Sequence, residues 1–527
     1  MPSIPEISVI LHHSRTAAFP VDRLFNLITF LYQNHDFRLE VFILDEENNP
    51  DLKNTINRLD PDDHSIQILT GKSSTLGQEL NKALAKARGN LLLYINNRIA
   101  EIQLKKSTLS ALVLCARRHP SWGLVYADYE LISASKKTDV HLLPFHEGRL
   151  RDNQDYGYVY LINAKILKQC GGFDTSLKVH SLYDTRLIVS EKSAIVHIGN
   201  KTGGALYTVT APKVKHDVFD YLLASRESQL EAEQILTAHL KRTGAYLAPG
   251  ANQGKRPNPE STDIKASVII PVNHRPEFIG SAIESALNQT VQEMEIIVVV
   301  NGGDQDPTIE EVRNYQEGGE KYSEKSPQVT LLAIDINNIG LSLNLGVRAA
   351  KGIYYIQLDS DDRLKPDAIE KIIKVFESDP KIGMVIGSYE VWEQSEKTGT
   401  IKRRKDIPVV THDEWTEVNG RNNLMRINGA GAPRAIPINI LKEMGYFGMN
   451  DESFSRNYGE DYDMVLKISE NYRIGRIWDP IYEVIRHAGS TDHSIDQETI
   501  DRNDEAKDYM RLKALKRRRK LNQKKKA

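Results

Sequence analysis

Ile353-Tyr354-Tyr355-Ile356-Gln357-Leu358-Asp359-Ser360-Asp361-Asp362 is the stretch from which the chain is best read. Its first six residues are a mostly apolar run of strand length. Three carboxylates follow at the end of that run. Crowded carboxylates repel one another and lose solvation, and a cation placed among them relieves both costs. Oxygen ligands of this kind suit Mg²⁺ or Mn²⁺, usually shared with the phosphates of a substrate. The plainer alternative is a helix-capping loop, because Arg363-Leu364-Lys365-Pro366 follows and opens a helix.

Working outward, Ala266-Ser267-Val268-Ile269-Ile270-Pro271-Val272-Asn273-His274-Arg275 reads as a short strand broken by proline. A helical segment spans Phe278 to Asn288. Met294-Glu295-Ile296-Ile297-Val298-Val299-Val300-Asn301-Gly302-Gly303 is then a second buried strand ending in a polar, glycine-rich turn. Strand, helix, strand in this rhythm predicts a parallel α/β sheet. Ligands in such sheets sit beyond the carboxyl ends of the strands. Pro271, Asn301 and Asp359 all fall at such ends, so one crevice can collect them.

The segments "SVIIPVNHRPEFIGSAIESALNQ", "EIIVVVNGG", "NIGLSLNLGVRAAKGIYYIQLDSDD", "GYFGMNDESFSRNYGEDYDMVLKI" and "RHAGS" stand in this order over roughly residues 265–490. Together they resemble a family 2 glycosyltransferase of the GT-A fold. The resemblance implies metal-dependent transfer of a sugar from a nucleotide-sugar, UDP- or GDP-linked, to an acceptor hydroxyl with inversion. It places metal contacts at Asp359, Asp361 and His487. It places donor contacts at Pro271, Val272, Asn273, Arg275, Asn301, Asn338, Gly340, Asn344, Asp359 and Ser360. Asp461 takes the place of the catalytic base, with Glu460 beside it orienting the acceptor. Such a base is chemically required, because a sugar hydroxyl is a poor nucleophile at neutral pH; a positioned carboxylate contributes about 10²–10⁴-fold. Acids opening a helix against its dipole explain Glu460-Asp461 equally well, and both readings hold together. Three departures bear on donor-base identity. Val300 fills a slot usually held by aspartate, Gly340 to Asn344 lacks an arginine often found there, and Ile485 stands where an arginine often precedes the histidine.

The N-terminal third repeats the frame. Ile7-Ser8-Val9-Ile10-Leu11 parallels Ala266 to Ile270, and Leu39 to Asp45 parallels Met294 to Val300. Leu76-Gly77 to Asn81 and Ala87-Arg88-Gly89 parallel Gly340 to Asn344 and Ala350-Lys351-Gly352 at a constant spacing of 263 residues. The same spacing sets Asn96 on Asp359 and Arg98 on Asp361, and a guanidinium cannot ligate a divalent cation. Ser181 and Leu182 fall on Glu460 and Asp461. The expected architecture is therefore α/β, two tandem GT-A-like domains with mostly parallel central sheets. Residues 1–212 form a degenerate glycosyltransferase-like domain and 213–264 a bridging helix and linker. Residues 265–500 form the catalytic domain, and 501–527 a C-terminal helix and basic tail. In the bridge, Leu222, Leu223, Leu230, Ile235, Leu236 and Leu240 form an apolar stripe.

At 527 residues with 40% hydrophobic content, two or three domains with ordinary cores are expected. Cys115 and Cys170 are the only cysteines, which gives no disulfide framework. The start of the chain does not read as a signal peptide, and no apolar run reaches membrane-spanning length, so a cytoplasmic location is expected. From Arg511 onward there are ten lysines and arginines and no acids. Such a tail is either solvated and disordered, or held on anionic lipid at the inner membrane face, or in contact with nucleic acid. No aromatics interleave the charges, so nucleic acid is not expected.

On the acceptor side lie Trp392, Trp415, Asn428-Gly429-Ala430-Gly431-Ala432-Pro433-Arg434 and Ser490-Thr491-Asp492-His493-Ser494. The tryptophans are either sugar platforms or core. The acceptor is a glycan, a lipid-linked sugar or a small molecule. Two other functions compete: a nucleotidyltransferase, which lacks its glycine-rich phosphate loop here, and a non-catalytic glycan-binding scaffold.

Overall fold

The structure, a computed structural model, describes residues 5–13, 21–33, 37–46, 48–59, 65–133, 136–201, 203–210, 225–412, 415–427, 431–455, 457–487 and 496–524. The chain divides into two compact units, Met1–Thr243 and Gly244–Ala527. Both are α/β with mostly parallel central sheets, as the alternation of apolar strands and amphipathic helices predicts.

The first unit's main sheet holds β1 (Ile7–His13), β2 (Leu39–Asp45), β3 (Ile66–Thr70), β4 (Leu91–Ile95), β6 (Trp122–Ala127), β9 (Val159–Asn163) and β10 (Ala194–Ile198). Their order is β10-β6-β9-β4-β1-β2-β3. A smaller sheet, β5-β11-β7-β8, is made of β5 (Glu101–Leu104), β7 (Tyr129–Ser133), β8 (Lys136–Val140) and β11 (Tyr207–Thr210).

The second unit builds one sheet from β12 (Ala266–Val272), β13 (Met294–Val300), β14 (Gln328–Ala333), β15 (Tyr354–Gln357), β16 (Arg363–Leu364), β17 (Ile382–Gln394), β18 (Ile401–Arg403), β19 (Arg434–Pro437) and β20 (Arg473–Arg486). The order is β14-β13-β12-β15-β19-β17-β20-β16, with β18 on β17. β12 and β13 are buried along nearly their whole length, which is why they read as unbroken apolar runs. β19 runs antiparallel between β15 and β17, so its first residue, Arg434, lies at the sheet end where β15 gives way to Asp359.

The two units repeat one another in register and in buried polar ties. Ile7 faces Leu91 as Ala266 faces Tyr354. Ser8 donates to Glu40 at 2.6 Å and accepts from the Gly89 N–H at 3.0 Å. Ser267 donates to Glu295 at 2.7 Å and accepts from the Gly352 N–H at 3.0 Å. Asn81 brackets the backbone of Phe173, and Asn344 brackets that of Phe447.

Three expectations change. The bridging helix spans Arg226–Arg242 and packs through Ala232, Ile235, Leu236 and Leu240, but Leu230 is exposed; Leu222 and Leu223 lie outside the described residues. The segment after Gly244 is no free linker. Leu247 is buried, Asn422 pairs with its backbone, and Arg421 donates to the carbonyls of Ala248 and Ala251. The basic tail is a helix, Gln497–Lys524, with Arg511, Ala514, Leu515 and Arg518 fully buried in the second unit. Arg511 donates to Asp508 and to the Ile427 carbonyl at 2.9 Å, Arg517 to Glu470 at 2.8 Å, and Arg518 to the Arg421 carbonyl at 2.7 Å. These arginines are structural, which rules out a wholly solvated tail. No helix among the described residues is long and apolar enough to cross a membrane.

Candidate active site

The aspartate cluster leaves β15 as a turn whose members have different duties. Asp359 accepts from Gln357 Nε2 at 3.1 Å, and its N–H donates to the Tyr482 hydroxyl at 3.1 Å. Asp362 accepts the Ile485 N–H at 2.8 Å. That bond ties the turn to β20 and delivers His487, two residues on, to Asp361: His487 Nε2 lies 3.0 Å from Asp361 Oδ2. The Phe278 ring stacks on His487 at 4.1 Å between centroids. Asp361 also takes an ion pair from Arg275.

The electrostatics follow from crowding. Burial, joined by the charge of Asp361, pushes the Asp359 carboxyl up. Burial and both neighbouring aspartates push Asp362 well up. Burial acts the same way on Asp361, but the hydrogen bond from His487 and the charge of Arg275 outweigh it and hold its carboxyl below the ordinary range.

The second group of acids opens the helix Glu460–Asn471. Its cap, Gly459, has φ +87°, and a Cβ there would press on Met510 of the C-terminal helix. Asp461 has both oxygens engaged: Oδ1 accepts the Tyr462 N–H at 2.7 Å, and Oδ2 pairs with Arg434 Nη1 at 2.8 Å. Burial and the charges of Asp461 and Asp359 push Glu460 up to about 7. A carboxyl that holds its proton more tightly when folded adds stability below its unfolded pKa. That gain is lost as pH rises from the ordinary carboxylate range towards 7. Glu460→Gln should therefore raise the melting temperature at pH 8 and leave it unchanged at pH 4. Equal shifts at both pH values would contradict the crowding.

The structure brings Asp359, Asp361, His487 and Arg275 together, and Arg434 links Asp461 with the field of Asp359. Pro271 and Val272 close β12, and Asn273 contacts His274, whose N–H is held by Asp306 at 2.8 Å. Asn301 follows β13, buried, with its Nδ2 on Ser342 and its Oδ1 without a protein donor. Ser360 is buried in the turn. Asn338, Gly340 and Asn344, expected at the donor, also have packing duties. Asn338 caps the helix Ile339–Ala349 and reaches Met449, Asn344 is spent on Phe447, and a Cβ on Gly340 would collide with the Gly448 carbonyl. All three pack that helix against residues 447–449. Trp415 is buried against Gly420 and is core rather than sugar platform; Trp392 is half-buried opposite Ile485. Residues 428–430 and 488–495, including Ser490-Thr491-Asp492-His493-Ser494, lie outside the described residues.

The donor set at Asp361 and His487 fits a divalent cation. Among the described residues no three His, Cys, Asp or Glu side chains converge tightly enough to hold one alone. A Mg²⁺-type ion that shares a substrate's phosphates needs only one or two protein carboxylates, so two converging donors suffice. Gln357 and Tyr482 are site residues to which sequence reasoning assigned no role, Asp362 was legible only as one of three acids, and Arg434 only as the end of an acceptor-side run. The one signal for Arg434 was a lone cation following a run of small residues.

In the first unit the corresponding strand end carries Asn96 and Arg98, and the helix Ser181–Ser190 opens with Ser181 and Leu182 where the other opens with Glu460 and Asp461.

A 225-residue stretch, 43% of this chain, is 28% identical to a chondroitin synthase of Pasteurella multocida strain Pm70 and covers 21% of it. A stretch of 242 residues, 45% of this chain, is 28% identical to a chondroitin synthase of Escherichia coli and covers 32% of it. The chain thus spans between a fifth and a third of the length of these relatives. Among solved structures, S. aureus TarS 1–349 in complex with UDP-GlcNAc matches at 19% identity with a TM-score of 0.34, over 44% of this chain and 62% of that one. Residues 267–435 match the family described as Glycosyl transferase family 2.

Proposed function

We propose that the second unit transfers a sugar from a nucleoside-diphosphate sugar to an acceptor hydroxyl with inversion at the anomeric carbon. The observation that carries this reading is that Asp359, in the same turn as the Asp361–His487 pair, lies close enough for its charge to act on Glu460 and for that of Asp461 to act on it. The acceptor oxygen bonds to the anomeric carbon from the face opposite the leaving group. Its proton passes to the Asp461 carboxylate, and the bond to the diphosphate breaks with its electron pair on the departing nucleotide. Asp361 and His487, with Asp359, would hold Mg²⁺ or Mn²⁺, which stabilises the charge of the leaving diphosphate. Pro271, Val272, Asn273 and Ser360 line the donor side. Asn301 Oδ1, buried without a protein donor, is the acceptor left for a nucleobase N–H, and Arg275, paired with Asp361, is a cation at hand for the diphosphate. A glycan acceptor is supported by the names of the relatives, chondroitin synthase among them.

The first unit is proposed to bind no donor, because Asn96, Arg98 and Leu182 replace the working groups. Titration of the full chain with UDP or GDP by calorimetry tests both statements. With Mn²⁺ one nucleotide should bind per chain, and Asp361→Asn should abolish the dependence on Mn²⁺ without lowering the melting temperature. Equal affinity with and without Mn²⁺ in the unmodified protein removes the metal assignment, and two sites per chain remove the degeneracy of the first unit.

A further inference from the structure

Asp461 sits among negative charge with a nearly buried guanidinium against it. The Arg434 side chain is 12% exposed, and its Nη1 lies 2.8 Å from Asp461 Oδ2. The other oxygen of Asp461 is taken by the Tyr462 N–H at 2.7 Å. Its two oxygens are thereby pinned from two directions, one by a helix backbone and one by a sheet residue. The sheet explains the placement. Ala435 pairs with Ile356 on β15, and β19 runs antiparallel to it, so Arg434 stands at the end from which Asp359 emerges. The charges of Asp461, Asp359 and Glu460 all reach it.

The repeat supplies an independent comparison. In the first unit Leu93 faces Leu161 on β9 as Ile356 faces Ala435 on β19. The residue that corresponds to Arg434 is therefore Tyr160, whose hydroxyl turns back to the Gly157 carbonyl. That unit has Ser181 and Leu182 in place of the two acids. The arginine is present where the acids are present and absent where they are absent.

We propose that Arg434 is the positioning residue of the acceptor-side acid: its guanidinium and the Tyr462 N–H hold the Asp461 carboxylate so that its remaining lone pairs meet the acceptor hydroxyl. This rests on the reading of Asp461 as the base. A planar fork with fixed donor directions does this where a flexible ammonium does not. Asp359, Glu460 and Asp461, each only partly exposed and close enough for their charges to interact, also call for a permanent countercharge, since acids drawn out of water without one are costly. Arg434 adds no proton and takes none; it sets where the proton goes.

The test uses the full chain and the donor that it turns over. Arg434→Met should lower kcat about 10²-fold, the cost of a slightly misplaced catalytic group, with donor KM changed only a few-fold. Arg434→Lys should recover little, and free guanidinium should restore transfer to Arg434→Ala but not to Arg434→Met. In an Asp461→Asn background, Arg434→Met should cost little more, because the two act as one unit. Losses that multiply, a kcat above a third of normal, or a donor KM that rises as far as kcat falls would overturn the proposal. Should the unmodified protein transfer nothing from any nucleotide-sugar, the reading of the reaction falls. Unfolding midpoints of Arg434→Met, Asp461→Asn and the double variant then decide the clamp: a double loss equal to the sum of the singles overturns it, and a smaller one upholds it.

Discussion

Asp461→Asn is expected to slow sugar transfer by about 10²–10⁴-fold while leaving nucleotide affinity nearly unchanged. Asparagine keeps the size of aspartate and can still accept from the Tyr462 N–H. What it cannot do is take the acceptor's proton. The substitution also turns a charged partner of Arg434 into a neutral one, yet that ion pair lies on the acid side and not at Asp361, where the diphosphate is to be bound. The loss should therefore appear in kcat. Steady-state rates with donor and acceptor varied separately will show it. A variant that keeps more than a third of its activity would move the base to Glu460. Burial and the neighbouring acids have already raised that carboxyl to about 7, close to a useful proton-accepting range.

Arg511→Met is expected to cost the second unit about 3–5 kcal/mol, the usual penalty for breaking a buried ion pair from one side. Arg511 and Asp508 are both completely buried. The guanidinium also donates to the Ile427 carbonyl at 2.9 Å and lies over the Tyr462 ring at 5.0 Å. Methionine fills much of the volume but leaves Asp508 without this partner. Changing both residues to apolar ones of similar volume should cost less than the single change, because no charge is then stranded. Urea unfolding of the unmodified protein and of these two variants distinguishes these outcomes. A loss below about 1 kcal/mol, the range of an exposed pair, would mean that the helix only rests on the surface. The same helix sets Lys507 against Tyr458 at 3.0 Å and Met510 against Gly459, so its loss should also disturb the acids that follow.

The strands were readable because a central parallel sheet leaves long apolar runs between glycine and asparagine turns. The aspartate cluster was readable because three acids in four residues at the end of an apolar run repel one another and lose solvation. The duplication was readable where polar residues are buried in both units, as with Ser8 and Ser267. Arg434 was not, because its meaning lies in a strand pairing between segments some eighty residues apart, and a single arginine carries no periodicity. The packing role of Asn338, Gly340 and Asn344 was hidden for the opposite reason. A glycine and two asparagines near a ligand-binding sheet end look like loop chemistry, whereas here they pack a helix against a turn. The charge run from Arg511 misled because composition does not reveal which face of a helix is covered. Arg511 and Arg518 fall seven residues apart, about two helical turns, and so lie on the same side.

The strap after Gly244 has a consequence for how the chain can be divided. Arg421 spends its guanidinium on the carbonyls of Ala248 and Ala251, Asn422 grips Leu247, and Arg256 reaches the carbonyls of Phe376 and Asp379. A scissor placed at residue 264, where composition changes, would cut this bandage away, leaving Arg421 without these acceptors and the carbonyls of Phe376 and Asp379 without Arg256. A scissor placed after Thr243 would leave it wound in place.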